Sequence, residues 1–209
     1  DLGFWGRRGH DDKGRYTGQH KFAVNSRHPT AYFQKRKHAG DRIAQFDLRV
    51  KPWRDGRHIL LAGMSAKSSW VEGMAAEEWE RNAVKMIRAN TGREIVYRPK
   101  PSSPNARPSP GTRFSPPEEK LASVLDGCHA IVTHHSNVAI DGIIDGIPSF
   151  CWDGVAVPMS LQDFSRLDSP IRPDGREQWL ADIAYTQFTP AEMREGIPWR
   201  HLKDEGVIP

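Results

Sequence analysis

The sequence predicts an α/β fold: an open parallel sheet with helices on both faces, preceded by an irregular basic segment and followed by a helical tail. Three observations predict it. Short apolar runs recur between residues 58 and 152, bounded by glycine or polar turns. Segments of helical period alternate with those runs, which implies parallel strands joined by right-handed crossovers. Charge is split along the chain: residues 1–57 hold 14 Lys/Arg against 6 Asp/Glu, and residues 58–209 hold 16 against 20.

Taken in order, the basic segment shows turns at DLGFWGRRG and DDKGRYTG, with FAVN (22–25) and QFDLRV (45–50) as candidate short strands. Its aromatics, Phe4, Trp5, Tyr16, Phe22, Tyr32 and Phe33, admit two readings. They stack bases while the cations track a phosphate backbone, which would make DNA a partner through residues 1–57, or they pack beneath a solvated basic surface. HILLAG (58–63) is a buried strand ended by glycine. In AAEEWERNAVKMIRAN (75–90), Trp79, Ala83, Met86 and Ile87 share one helix face, and Thr91-Gly92 closes the helix. EIVYR (94–98) is a second strand. Seven prolines in residues 99–117 predict an extended loop without regular structure. Ser115-Pro-Pro-Glu118 has the form of a capping box opening a helix that carries Leu121, Val124 and Leu125. HAIVTH (129–134) is the third strand, NVAIDGIIDG (137–146) a helix ended by glycine, and IPSFCW (147–152) the fourth strand. In the tail, Asp174-Gly-Arg-Glu177 and Thr189-Pro-Ala-Glu192 are further capping boxes for helices bearing Trp179, Leu180, Ile183 and Met193. The whole reads as a Rossmann-like nucleotide-binding domain over 58–209, with 1–57 as a separate basic segment.

Composition narrows the class. Only 37% of the 209 residues are hydrophobic and mean hydropathy is −0.65. Part of the chain is therefore expected to pack loosely or against a partner. No apolar run reaches membrane-span length and no secretory signal is visible, so a cytoplasmic protein is expected. Cys128 and Cys151 each lie beside a predicted strand and read as buried, reduced thiols. GxSxG, Walker A and GxGxxG motifs are absent, and no cofactor is implied.

In open parallel sheets, ligands bind at the carboxyl ends of the strands. Here those ends are polar: Gly63-Met-Ser65-Ala-Lys67-Ser68-Ser69, Tyr97-Arg98-Pro-Lys100, Thr133-His134-His135-Ser136-Asn137 and Trp152-Asp153-Gly154. Lys67, Arg98 and Lys100, with the donors Ser65 and Ser136, are expected to converge on one rim. A helix starting at Ser136 or Asn137 adds free N–H groups there, which suits a diphosphate. Asp141, one turn on, suits ribose hydroxyls. Each residue also has a plainer role, as an N-cap, a first-turn acid or a solvated loop charge. His134 and His135 are adjacent, so on extended backbone they point to opposite faces and no shared metal is expected. One of the pair is read as a general base or phosphate donor and the other as a core histidine.

These residues carry a resemblance. VTHHSNVAIDGIIDGIPSF resembles the donor-binding motif in the C-terminal half of GT-B-fold glycosyltransferases: a strand ending in a small polar turn, a helix with an acidic residue (Asp141), then Gly146-Ile147-Pro148 before the next strand. YRPKP (97–101) resembles the basic strand end of capsule-type sugar and polyol-phosphate transferases. The lead-in DLGFWGRRG and the KPW…GRHILL stretch look like phage-encoded proteins of this type. The resemblance implies a nucleotide-sugar donor whose diphosphate meets residues 134–137 and whose ribose meets Asp141. Arg98, Lys100 and Ser136 would stabilise the leaving diphosphate, and His135 or His134 would act as base, with no bound metal. The acceptor would be anionic, modified phage DNA or a glycan, with residues 1–57 as the remnant of an acceptor-side domain. The alternative is a non-catalytic nucleotide or nucleic-acid binding protein of phage origin.

Overall fold

The computed structural model describes residues 2–31, 37–103 and 106–209. Its chain forms two compact units, Asp1–Arg49 with Gly175–Pro209, and Val50–Asp174. In chain order the elements are β1 (His20–Lys21), α1 (Asp41–Ala44), β2 (His58–Ala62), α2 (Ala66–Val71), α3 (Glu78–Asn90), β3 (Glu94–Arg98), β4 (Arg113–Phe114), α4 (Leu121–Leu125), β5 (Cys128–Thr133), α5 (Val138–Ile144), β6 (Ser149–Cys151), β7 (Ser160–Leu161), α6 (Arg176–Ala184), β8 (Gln187–Phe188), α7 (Pro190–Arg194) and α8 (Ile197–Asp204).

The unit 50–174 is built on a six-stranded, all-parallel sheet in the order β4-β3-β2-β5-β6-β7. Counted from β2, the order is 3-2-1-4-5-6, that of the doubly wound Rossmann folds. Strand side chains alternate between faces. Ile59, Leu61, Ile95, Tyr97, Ala130, Val132 and Phe150 pack with Ala83 and Ile87 of α3 and with Phe164 and Leu167. Leu60, Ala62, Val96 and Ile131 pack on the other face with Val124 and Leu125 of α4 and Val138 of α5. Side chains such as Leu60, Leu61 and Ile131 are fully buried, each contributing roughly 1.5–3 kcal/mol of apolar burial. The register shifts between His58 and Ile59, whose partners are Cys128 and Ala130, so His129 sits at a bulge. His129 is a satisfied core histidine: its Nδ1 accepts from Gly56 N at 3.2 Å. Its Nε2 therefore carries the proton and donates to Leu167 O at 3.0 Å.

In the other unit, β1 pairs antiparallel with β8. Phe4 and Trp5 are buried. The Gln187 side chain accepts from Phe4 N at 2.6 Å and from Trp5 N at 3.3 Å. The Tyr16 hydroxyl donates to Arg7 O, and Phe22 packs edge-on against Phe188. Four aromatics of the basic segment are thus engaged within their own unit, while Tyr32 and Phe33 lie outside the described residues. Arg42 is engaged too, donating to Ala184 O, Gln187 O and Glu192 Oε1.

Several sequence expectations need correction. Residues 22–25 and 45–50 form no strand; α1 ends just before the second stretch, and Asp47 has a positive φ of 47° that breaks extended backbone. The buried face of α3 is Glu80, Ala83 and Ile87, whereas Met86 is 50% exposed. The proline-rich loop does contain regular structure, the two residues of β4. The Ser115 capping box does not form, because α4 starts at Leu121 without a side-chain cap and the Ser115 hydroxyl accepts from Arg98 instead. Gly175, at a φ of 81°, precedes α6, so the Asp174 box is absent. The Thr189–Glu192 box is present in both directions. Both cysteines are free and buried, and burial pushes each thiol up to about 12. Among the described residues, no helix is long and apolar enough to cross a membrane.

Candidate functional site

The strand order reverses between β2 and β5, and the polar strand ends gather at that crevice. Thr133 Oγ1 donates to Ala62 O at 3.2 Å, tying the two strand ends together. After Ala62 the chain passes through Gly63, where a Cβ would lie 3.0 Å from the Tyr97 hydroxyl and 3.1 Å from Glu80 Oε1. Glycine leaves that space to the two polar side chains. Ser65 then caps α2 by accepting from Ser68 N at 3.1 Å.

At the end of β5, the strand stops at Thr133 and turns. The His134 carbonyl accepts from Trp152 N and Asp153 N at 3.0 and 2.8 Å. This turn overturns the expectation that the two histidines face opposite ways: their Nδ1 atoms are 3.0 Å apart. His135 Nε2 lies 3.2 Å from Ser68 Oγ, bridging the β5 turn to α2. Trp79 stands edge-on to His134. Donor atoms of Glu72, His134 and His135 fall within 4.8 Å of one another, so among the described residues of the crevice these three could hold a metal.

Beside this crevice opens a cavity of about 660 Å³, whose lining includes Ser65, Lys67, Glu80, Tyr97, Ser102 and Ser103. Glu80 was not singled out by its sequence context, yet it is the most unusual group here. It is 2% exposed, and its Oε1 accepts from Met64 N at 2.6 Å. Its Oε2 is buried with no hydrogen-bond partner among the described residues. Burial raises the carboxyl pKa above its usual value of 4.5, only partly offset by the bond from Met64. Burial, with the nearby Glu80 charge, also pushes the Tyr97 phenol upward, so Tyr97 stays protonated as a donor. The signal in the sequence is a glutamate three and seven residues before Ala83 and Ile87, on the apolar stripe itself.

The other expected site residues divide. Ser65 and Lys67 line the cavity. Ser136 Oγ accepts from Val138 N at 3.4 Å, and its own N–H is held by Thr133 Oγ1. Asn137 precedes α5 without a side-chain cap, and Asp141 lies half-buried in the first turn of that helix. Lys100 is half-buried on the loop after β3. Arg98 is committed elsewhere. Its guanidinium donates to Ser115 Oγ at 2.8 Å, Pro116 O at 3.2 Å and Glu119 O at 2.7 Å, holding the loop that leads to α4.

No protein family matches the chain, and no curated protein does. Among solved structures it is similar to Thermosulfurimonas dismutans KpsC, beta Kdo 2,4 transferase, at 15% identity and a TM-score of 0.44, over 71% of this chain and 53% of that one. It is also similar to Thermosulfurimonas dismutans KpsC, beta Kdo 2,7 transferase, at 12% identity and a TM-score of 0.40, over 77% of this chain and 58% of that one. The chain thus spans between half and three fifths of these proteins, and the fold assignment rests on its own strand order.

Proposed function

We propose that the chain is a glycosyltransferase that takes its sugar from a nucleotide-sugar donor, bound at the carboxyl ends of β2, β3 and β5. The observation that carries this reading is Glu80, a buried, half-satisfied carboxyl group on the wall of a cavity that opens at these strand ends. A carboxyl whose pKa is raised by burial is suited to proton transfer. The motif context agrees with the reading: β5, a polar turn, α5 bearing Asp141, then Gly146-Ile147-Pro148 leading into β6.

In this reading, Ser65, Lys67 and Ser136 contact the donor diphosphate and Asp141 its ribose. Glu80 receives the proton of the acceptor hydroxyl as its oxygen bonds to the sugar, while the bond from sugar to phosphate breaks and the nucleotide leaves with the electron pair. His135, already within reach of Ser68, is the second candidate for that proton, with His134 beside it. Arg98 drops out of the catalytic set because loop carbonyls occupy it. The acceptor is an anionic glycan rather than DNA, because the aromatics Phe4 and Trp5 that would stack on bases are buried.

The test is a melting-temperature screen with UDP-, GDP-, CMP- and dTDP-sugars, followed by chromatography of released nucleotide. One donor should raise the melting temperature and release nucleotide. Glu80→Gln should keep the binding shift and lower release by about 10²–10⁴-fold. Loss of release in His135→Ala alone would move the base to His135. Binding of a nucleotide without release by any variant or the parent would favour a non-catalytic binder, and no shift with any nucleotide would end the proposal. Hydroxymethylated DNA as acceptor is the control: steeply salt-dependent binding and transfer to it would restore DNA as acceptor.

A further inference from the structure

A second cluster, within the unit 1–49 and 175–209, is independent of the donor site. His38, His201 and Glu205 bring donor atoms within 4.8 Å of one another. Their side chains are 6%, 13% and 3% exposed. They lie beside a cavity of about 550 Å³, whose lining also includes Lys37, Tyr185 and Asp204. His201 and Glu205 sit one turn apart at the end of α8. His38 comes from 167 residues before Glu205, so no spacing motif announces the set.

The orientation of His38 is fixed from outside the cluster. Asp182 Oδ1 accepts from His38 N at 2.9 Å and from Gln178 Nε2 at 2.9 Å, and lies 3.0 Å from His38 Nδ1. A carboxylate accepts only, so the ring proton belongs on Nδ1. The Tyr185 ring stacks on the imidazole at 4.5 Å and holds its plane. The Nε2 lone pair then faces Glu205 Oε1 at 3.2 Å. A 3.2 Å gap between an imidazole nitrogen and a carboxylate oxygen fits either a shared proton or a metal ion bonded at about 2.0–2.2 Å to each. A second ring proton bridges only this one pair. A metal ion engages His201 Nδ1 as well, which lies 4.0 Å from the same carboxylate oxygen. A histidine whose far nitrogen is held by a carboxylate is the usual outer arrangement of zinc-type sites.

We propose that His38, His201 and Glu205 bind a divalent transition-metal ion, with Asp182 as the residue that orients His38. Two imidazoles and one carboxylate favour ions of the zinc class over magnesium or calcium. Three protein ligands leave a coordination position for water.

The experiment uses the full chain without a polyhistidine tag, incubated with Zn²⁺, dialysed and subjected to elemental analysis. One equivalent of zinc per chain is expected, with a melting temperature that falls on chelation and recovers on adding zinc. Co²⁺ in place of zinc should show the visible absorption of a low-coordinate site. His201→Ala should retain under a tenth of the metal, Asp182→Asn should bind about 10–100-fold more weakly, and His134→Ala should keep the full equivalent. If the folded parent chain retains no metal, or chelation leaves its melting unchanged, the proposal fails. It also fails if His201→Ala keeps the metal or His134→Ala loses it. The parent-chain measurements stand even where a variant does not fold.

Discussion

Glu80 combines two properties that pull apart: a backbone bond from Met64 and a second oxygen with no donor among the described residues. Because its carboxyl pKa is raised in the folded state, the folded chain binds this proton more tightly than the unfolded chain does. The stabilisation is complete below the usual value of 4.5 and is lost as pH rises through the folded pKa. Glu80→Gln preserves the shape and the acceptor for Met64 but removes the ionisation. Its stability relative to the parent should therefore improve as pH rises from 4.5 to 8, measured by urea midpoints at several pH values; a difference that does not change with pH would contradict the raised pKa. Glu80 was hard to read in the sequence because helical periodicity is traced through apolar residues, and a glutamate on the same stripe counts as noise. The paired rings of His134 and His135 were hidden for another reason. Their direction depends on the turn after Thr133, which is set by hydrogen bonds from Trp152 and Asp153.

Among the elements, the loop from Arg98 to Glu119 is tied down at its C-terminal end by the Arg98 guanidinium. Ser115 is fully buried and Arg98 is the donor to its hydroxyl. Arg98→Ala strips this donor and those to Pro116 O and Glu119 O, at a cost of about 2–3 kcal/mol in urea denaturation. Limited proteolysis should then open cleavage between residues 99 and 119 before the rest of the chain is cut; unaltered cleavage would mean the loop is held by other contacts. The turn between α5 and β6 depends on Gly146, which has a φ of 78° and whose Cβ, if present, would run into Pro52 O. Gly146→Ala should cost at least about 2 kcal/mol, since left-handed backbone alone costs an alanine roughly 1–2 kcal/mol; a smaller loss by thermal melting would show that residue 52 gives way. The four central strands were legible because each is built around a short apolar run. β4 and β7, of two residues each, carry no such run and exist only because a neighbouring strand offers partners. The Ser115 box failed for a similar reason: its hydroxyl met a stronger donor from a distant strand than the helix could supply.

For the molecule as a whole, two buried histidines set the acid limit of stability. His58 and His129 both have pKa values lowered from 6.5, chiefly by burial. Each is neutral when folded and charges on unfolding, so the stability they support is present above pH 6.5 and is lost as pH falls below it. Stability should decline between pH 7 and 5.5 by up to about 1.4 kcal/mol per pH unit for each histidine, read from urea midpoints of Glu80→Gln, which lacks the opposite contribution of Glu80; a flat profile over that range would show that both rings reach water. The basic character of the first 57 residues was plain from composition, but its use was not. Arg42 is spent on carbonyls and on Glu192, and four of the aromatics pack within their own unit. Composition reports charge without saying which charges are already paired. The connection from β3 to β4 is a loop, and it supplies Ser102, Ser103 and Ala106 to the cavity wall. Prolines at 99, 101, 108 and 110 limit its rotational freedom before any ligand arrives. A wall preorganised in this way forfeits little entropy on closing. Ser102, Ser103 and Ala106 belong to neither core cluster of the sheet, so the choice of ligand can drift with these positions while the core that folds the domain stays the same.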